Sequence, residues 1–175
     1  MLEIEIKVRV PDIKAVREQV IASGGVLTET LTEHDSYYNA PHRDFGITDE
    51  ALRLRETGIK TTVTYKGPKD TILGSKVREE LNLDITDPKI FDSIITHLGF
   101  VMVAVVQKRR EYYQYQDFTI SLDQVEGLGN FVEIELISDS NAEMAAARVD
   151  ETAIKMGVTG ERITLSYLEL LLSTR

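Results

Sequence analysis

The sequence has no cysteine and no tryptophan, and only 4 prolines and 3 histidines among 175 residues. Without cysteine there is no disulfide framework, no thiolate zinc site and no cysteine nucleophile, so a bound metal must be held by oxygen or imidazole. His34, His42 and His97 are scattered, with no HExxH pattern or close pair, and read as surface or loop residues. No apolar run approaches the roughly 20 residues of a membrane span. The opening segment from Met1 to Lys7 alternates charge at once and lacks the apolar core of a secretion signal. These absences predict a cytoplasmic chain with no membrane partner. Positive charge is also short: 20 Lys+Arg face 29 Asp+Glu, a net charge of −9. That argues against a general nucleic-acid surface, though not against basic residues gathered in one concave site. What is present, 42% hydrophobic and 28% charged residues, is the composition of a globular chain. Its length suits one domain that buries roughly 70% of the unfolded surface.

From Glu3 to Val10 charged and apolar residues alternate, with Glu3, Glu5, Lys7 and Arg9 on one face and Ile4, Ile6, Val8 and Val10 on the other. This is the period of a strand. After Pro11-Asp12 the apolar positions Ile13, Val16, Val20 and Ile21 recur at helical spacing until Gly24-Gly25. A second such unit begins near Arg78, and Asp87-Pro88 opens a helix that stops before Gly99. The two match at an offset of 75: Asp12 with Asp87, Gly24 with Gly99, and Tyr37-Tyr38 with Tyr112-Tyr113. Further strands are predicted over 26–39, 51–57, 60–66, 77–85, 101–116, 118–124 and 130–138, and further helices over 141–156 and 166–172. Short connections such as Thr57-Gly58-Ile59 make the sheet mainly antiparallel. The expected organisation is a single domain over 1–175, duplicated as halves of about 1–75 and 76–175, each a β-α-β(3)-like unit.

The polar faces of these strands carry the chemistry. Glu3, Glu5, Lys7; Arg53, Arg55; Lys66; Arg78, Glu80; Lys108, Arg110; Asp123; and Glu133, Glu135 are fully charged, and many come as like-signed pairs two residues apart. Like charges at i and i+2 on one strand face lie about 7 Å apart and repel, so repeating such pairs implies a ligand. Paired Arg and Lys match phosphate oxygens, and paired carboxylates match hard divalent cations; one object needs both, a metal-bound polyphosphate. Two arrangements remain open from the residues alone. In one the charged faces line a closed antiparallel barrel whose apolar faces are covered from outside by helices. In the other the apolar faces form a conventional core and the charges are solvated.

Glu3-Ile4-Glu5-Ile6-Lys7 resembles the ExExK signature of the CYTH family of triphosphate tunnel metalloenzymes, which includes class IV adenylate cyclases and thiamine triphosphatases. Further blocks are similar in order along nearly the whole chain. They are Thr48 to Arg55, Tyr65-Lys66-Gly67-Pro68, Arg78-Glu79-Glu80, Lys108-Arg109-Arg110, Leu122 to Gly129, Phe131 to Glu135, and Ser166 to Leu170. In detail the chain is most similar to the class IV adenylate cyclase branch. Leu2, where many members have His, and Asn82, where some carry an acid, depart from the pattern. The resemblance implies an α+β fold with a closed eight-stranded antiparallel β-barrel, or tunnel, and flanking helices. It implies that Glu3, Glu5, Asp123, Glu133 and Glu135 hold Mg²⁺ or Mn²⁺, and that Lys7, Arg53, Arg55, Lys66, Arg78, Lys108 and Arg110 grip a triphosphate. Lys7, Glu5 and Asp123 are the implied catalytic set. ATP, inorganic triphosphate and thiamine triphosphate are the implied substrates. The reaction would be cyclisation of ATP to cyclic AMP and pyrophosphate or, alternatively, triphosphate hydrolysis; a module that binds polyphosphate without turnover is a third reading, and a homodimer is left open.

The remaining candidates receive structural readings. The four tyrosines at duplicated positions are wall or core residues, and Gly127 and Gly129 shape a hairpin, since no GK[ST] follows them. Glu79 and Glu126 are surface residues. Lys69 and Lys76 flank a loop over 70–75 and read as solvated, and Tyr167 reads as the anchor of the last helix.

Overall fold

The computed structural model describes residues 2–72, 75–138 and 141–174. Strand β1 (Leu2–Arg9) leads through helix α1 (Ile13–Ala22) to β2 (Val26–Asn39), the short helix α2 (Phe45–Thr48), β3 (Ala51–Glu56), β4 (Thr61–Lys66) and β5 (Asp70–Ile72). Then follow β6 (Ser75–Ile85), α3 (Pro88–His97), β7 (Val101–Tyr115), β8 (Phe118–Val125), β9 (Gly129–Ser138), α4 (Ala142–Lys155) and α5 (Tyr167–Ser173). The strands hydrogen-bond in the order β1-β9-β8-β7-β2-β3-β4-β6, and β6 pairs back onto β1. Eight antiparallel strands therefore close on themselves, and β5 is an extra strand on β6.

Residues 75 apart play similar local parts at the ends of α1 and α3. The Asp12 carboxylate caps α1 by accepting from the amides of Lys14 and Ala15 at 2.9 and 3.3 Å, and Asp87 caps α3 by accepting from Ile90 at 3.0 Å. Past the ends of these helices Gly24 and Gly99 take φ of 101° and 91°, a region open to glycine without steric cost. β1 and β6 precede the two helices, and β2 and β7 follow them. β1 pairs with β9 and β6 with β4, so the strand that precedes each of these helices lies beside a strand from the other half of the chain.

Alternation decides what faces where. Ile4, Ile6 and Val8 point outward and, with Tyr113, Ile120, Val132 and Ile134, are buried under α1 and α4. α4 presents Ala145, Ala146, Val149 and Ala153 to that layer, small residues that let the helix lie close to the sheet. α3 covers Tyr38, Leu54 and Ile85 through Phe91 and Ile95. The aliphatic residues therefore sit between barrel and helices, and the charged faces look into the barrel.

Three local features differ from the sequence expectation. α2 is a single turn, started by Asp44 accepting from the Gly46 amide, and is too short to carry a period. β5 occupies part of the predicted 70–75 loop, of which residues 73–74 lie outside the described residues. β6 begins at Ser75, because Lys76 lies opposite Glu5 in the β1–β6 register and extends the ladder. Among the described residues no helix is long and apolar enough to cross a membrane.

Candidate functional site: a charged tunnel

The barrel encloses a cavity of about 940 Å³, at the upper end of the range for small-molecule sites. Its lining contains the inward faces of β1, β3, β4, β6, β7 and β9, together with Tyr167, Leu168 and Glu169 from the C-terminal segment.

On the β1–β9 wall carboxylates crowd one another. Glu5 lies directly opposite Glu135 in the ladder, a placement that repels when both are ionised. Glu3, Glu5 and Glu135 each offer an oxygen within 4.8 Å of the other two. Burial, together with Glu5, Glu80 and Glu135, pushes Glu3 up to about 8, even though Lys66 lies 2.8 Å away and opposes the shift. Burial and the Glu5 charge push Glu135 up to about 7. Glu5 is also buried, but Lys76 against its carboxylate keeps it below the usual range. Oxygen donors from the buried Glu3 and Glu5 and the half-buried Glu135, held together against their own repulsion, fit a hard divalent cation, which would supply the missing positive charge.

The β2–β3–β7 wall is arranged differently. Asp35 accepts from Arg55 Nε and Nη2, both at 2.7 Å, and from Lys108 Nζ at 3.0 Å. Glu33 accepts from the Tyr112 hydroxyl on one oxygen, and its other oxygen forms ion pairs with Lys108 at 2.6 Å and Arg55 at 2.9 Å. Glu33 and Asp35 are both fully buried. Burial alone would raise them, yet Arg110, Lys108 and Arg55 hold Glu33 down to about 2, and Lys108 and Arg55 hold Asp35 well below the carboxylate range. Burial pushes the Lys108 ammonium down, with Arg55 adding to the shift.

Between the walls stand cations with fewer carboxylate partners. Arg53 donates from Nη2 to the Thr64 hydroxyl at 3.1 Å, and its buried Nε has no hydrogen-bond partner among the described residues. The Arg78 guanidinium donates to the backbone oxygens of Gly67 and Asp49 and so ties the loops after β4 and α2 to the barrel. Lys7 lies 3.2 Å from Glu133, donates to the Leu165 carbonyl at 3.1 Å and sits 4.2 Å from the centre of the Tyr167 ring. Burial pushes its ammonium down, against the opposing pull of Glu133.

The cavity lining includes every sequence-predicted phosphate-binding residue: Lys7, Arg53, Arg55, Lys66, Arg78, Lys108 and Arg110. Of the five predicted metal ligands, Glu3, Glu5 and Glu135 come together. Glu133 also lines the cavity but turns to Lys7 and Arg110. Asp123 is held by Arg110 Nε at 2.6 Å and by the Tyr167 hydroxyl at 2.6 Å, and the cavity lining does not include it. Three participants escape the sequence reading. Glu33 and Asp35 lie in Thr-Glu-Thr-Leu-Thr-Glu-His-Asp-Ser, where both faces are polar and no alternation marks the inner one. Lys76 is read as a loop residue, although continuing the period of two back from Arg78 would have placed it inside.

The CYTH domain family model matches residues 1–163. The chain is 41% identical over 174 residues to MJ0240 of Methanocaldococcus jannaschii, whose name provisionally makes it an adenylate cyclase, covering 97% of this chain and 98% of that one. It is 29% identical over 175 residues to adenylate cyclase CyaB of Aeromonas hydrophila, covering 96% and 87%. Among solved structures, PH1819 of Pyrococcus horikoshii OT3 superposes with a TM-score of 0.90 at 35% identity, covering 99% of each chain. At 19% identity the fold extends to HpAC1 of Hippeastrum, described as a cyclase-named protein with a dominant triphosphatase activity, with a TM-score of 0.74 over 99% and 96% of the two chains. A closed antiparallel barrel with its charge turned inward, and a family match along nearly all of its length, make this chain a member of the CYTH domain family.

Proposed function

We propose that the chain is a divalent-metal-dependent enzyme that converts ATP to cyclic AMP and pyrophosphate inside the barrel. The observation that carries this reading is that one enclosed cavity brings the Glu3, Glu5 and Glu135 oxygens together and is also lined by Arg53, Arg78 and Lys7. Held by those carboxylates, Mg²⁺ or Mn²⁺ would supply charge neutralisation and lower the pKa of an attacking hydroxyl. The ribose 3′-oxygen bonds to the α-phosphorus, the bond from that phosphorus to the bridging oxygen breaks, and pyrophosphate leaves with the electron pair while the hydroxyl proton is released. The side chains position the groups and stabilise charge. Among the described residues Arg53 has an N–H without a hydrogen-bond partner and Arg78 bonds only to carbonyls, so these are the cations most ready to receive phosphate oxygens. Arg55 and Lys108, fixed by Glu33 and Asp35, add a field whose direction is set before substrate arrives. The cyclase names of MJ0240 and CyaB support this reading.

Hydrolysis is the second reading, favoured by the triphosphatase activity described for HpAC1; water then attacks the terminal phosphorus and the same residues keep their roles. ATP, inorganic tripolyphosphate and thiamine triphosphate, each incubated with Mg²⁺ or Mn²⁺, separate the two. Cyclic AMP and pyrophosphate are the expected products from ATP. Orthophosphate in their place would reassign the reaction to hydrolysis, and binding without product would leave a sequestering module.

A further inference from the structure

We propose that Lys76 is an exchangeable counter-ion of the acidic wall: its ammonium neutralises Glu5 until a divalent cation takes over that carboxylate, and then passes to a phosphate oxygen of the substrate. This deepens the metal-dependent reading above and rests on it. Lys76 lies opposite Glu5 in the β1–β6 register, lines the cavity and is 7% exposed, with its Nζ against Glu5 Oε1. An ammonium has three donors. Among the described residues this one uses a single donor, on Glu5, and no other carboxylate lies within 4.0 Å of it.

The neighbouring lysines are placed differently. Lys66 donates to both Glu3 oxygens, at 3.0 and 2.8 Å, and also pairs with Glu80, so it keeps a carboxylate whatever Glu3 does. Lys7 stands 4.0 Å from Glu5 but is held by Glu133 at 3.2 Å and by the Leu165 carbonyl. Lys76 alone of the three has no second anchor among the described residues. A divalent cation gathered by Glu3, Glu5 and Glu135 would compete with it for the same carboxylate and repel it as a like charge. A buried ammonium that loses its carboxylate needs another anion, and phosphate oxygens in the cavity supply one. Metal uptake thus frees a cation for the substrate, and metal and triphosphate strengthen each other's binding.

Lys76→Met, which keeps an unbranched side chain and removes the charge, tests the exchange. Affinities for Mn²⁺ alone, and for inorganic tripolyphosphate in saturating Mn²⁺, are compared by calorimetry in the wild type and the variant. The variant should bind Mn²⁺ roughly tenfold or more tightly, because the competing cation is gone, and tripolyphosphate roughly tenfold more weakly, the worth of a charge-assisted hydrogen bond. A merely structural lysine would not tighten Mn²⁺ when removed. Unchanged or weaker Mn²⁺ binding would overturn the competition, and unchanged tripolyphosphate affinity would overturn the transfer to phosphate. Where the substitution weakens the metal-free fold, the rise in melting temperature on adding Mn²⁺ gives the same comparison. It should exceed that of the wild type, and an equal or smaller rise would overturn the proposal. Failure of the wild type itself to take up Mn²⁺ would instead overturn the metal-dependent reading on which it rests.

Discussion

Across the tunnel, Glu33 and Asp35 on one wall and Glu3 and Glu135 on the other are in opposite electrostatic states. On the β2–β3–β7 wall Glu33 and Asp35 are enclosed by Arg55 and Lys108 and held ionised. On the β1–β9 wall Glu3 and Glu135 face other carboxylates and are pushed up to about 8 and about 7. The difference separates structure from function: a buried acid surrounded by cations is part of the scaffold, whereas buried acids set against one another store repulsion that a bound cation would relieve.

The largest effect that would break this comparison is at Asp35. Asp35→Ala leaves Arg55 and Lys108 without a shared partner and should cost about 3–5 kcal/mol of stability, read as a shift in the urea midpoint; a stable variant would show that the wall does not depend on its pairs. Glu135→Gln should do the reverse. Metal-dependent turnover should fall at least ~100-fold, since even residues behind a metal ligand cost 10–100-fold, while the melting temperature of the metal-free variant should equal or exceed that of the wild type. Full activity in this variant would remove Glu135 from the cation site. Arg53→Ala should weaken triphosphate binding by about 1.5–3 kcal/mol, the worth of a charge-assisted hydrogen bond, with the fold retained; unchanged affinity by calorimetry would take Arg53 out of the clamp.

Glu33 on one wall and Glu3 and Glu135 on the other respond to pH in opposite senses. Glu33, depressed to about 2 in the folded chain from an ordinary 4.5, contributes stability that is present above 4.5 and lost as pH falls toward 2. Glu3 and Glu135 are raised, so the folded chain binds more protons than the unfolded one, and stability is lost as pH rises from 4.5 toward 7 and 8. With EDTA present, melting temperature should therefore peak near pH 5 (~4.5–5), and Mn²⁺ should move the optimum toward neutrality. A metal-free profile that climbs steadily to pH 8 would contradict the crowding of the acidic wall. The smallest effect is expected outside the tunnel. Arg148 pairs with Asp117 at 2.7 Å, both about half exposed, and Arg148→Ala should change stability by at most about 1 kcal/mol.

Much of the barrel was legible because its strands keep a strict period of two, with full charges on one face and aliphatic residues on the other. Glu3-Ile4-Glu5-Ile6-Lys7 and Phe131-Val132-Glu133-Ile134-Glu135 say that two faces exist. Which of them is inside does not follow from the period, since a solvated charged face gives the same pattern; the covering helices and the closure of β6 on β1 decide it. Within the tunnel, sequence could not tell which carboxylate meets a cation and which meets another acid. Glu133 and Glu135 are two apart on one strand, yet Glu133 faces Lys7 across the ladder and Glu135 faces Glu5. That distinction comes from register, a property of two strands together. The pairing of Glu33 and Asp35 with Arg55 and Lys108 likewise needs β2, β3 and β7 in place at once.

The oxygens that gather on the acidic wall come from the first strand of the barrel and from its last. A chain emerging from the ribosome therefore holds two of them idle until β9 has been made, and no shortened version lacking that strand can assemble the set. Contacts so far apart in sequence form late and slowly. Cation uptake should accordingly report completion of the hoop, appearing only when its final stave is seated.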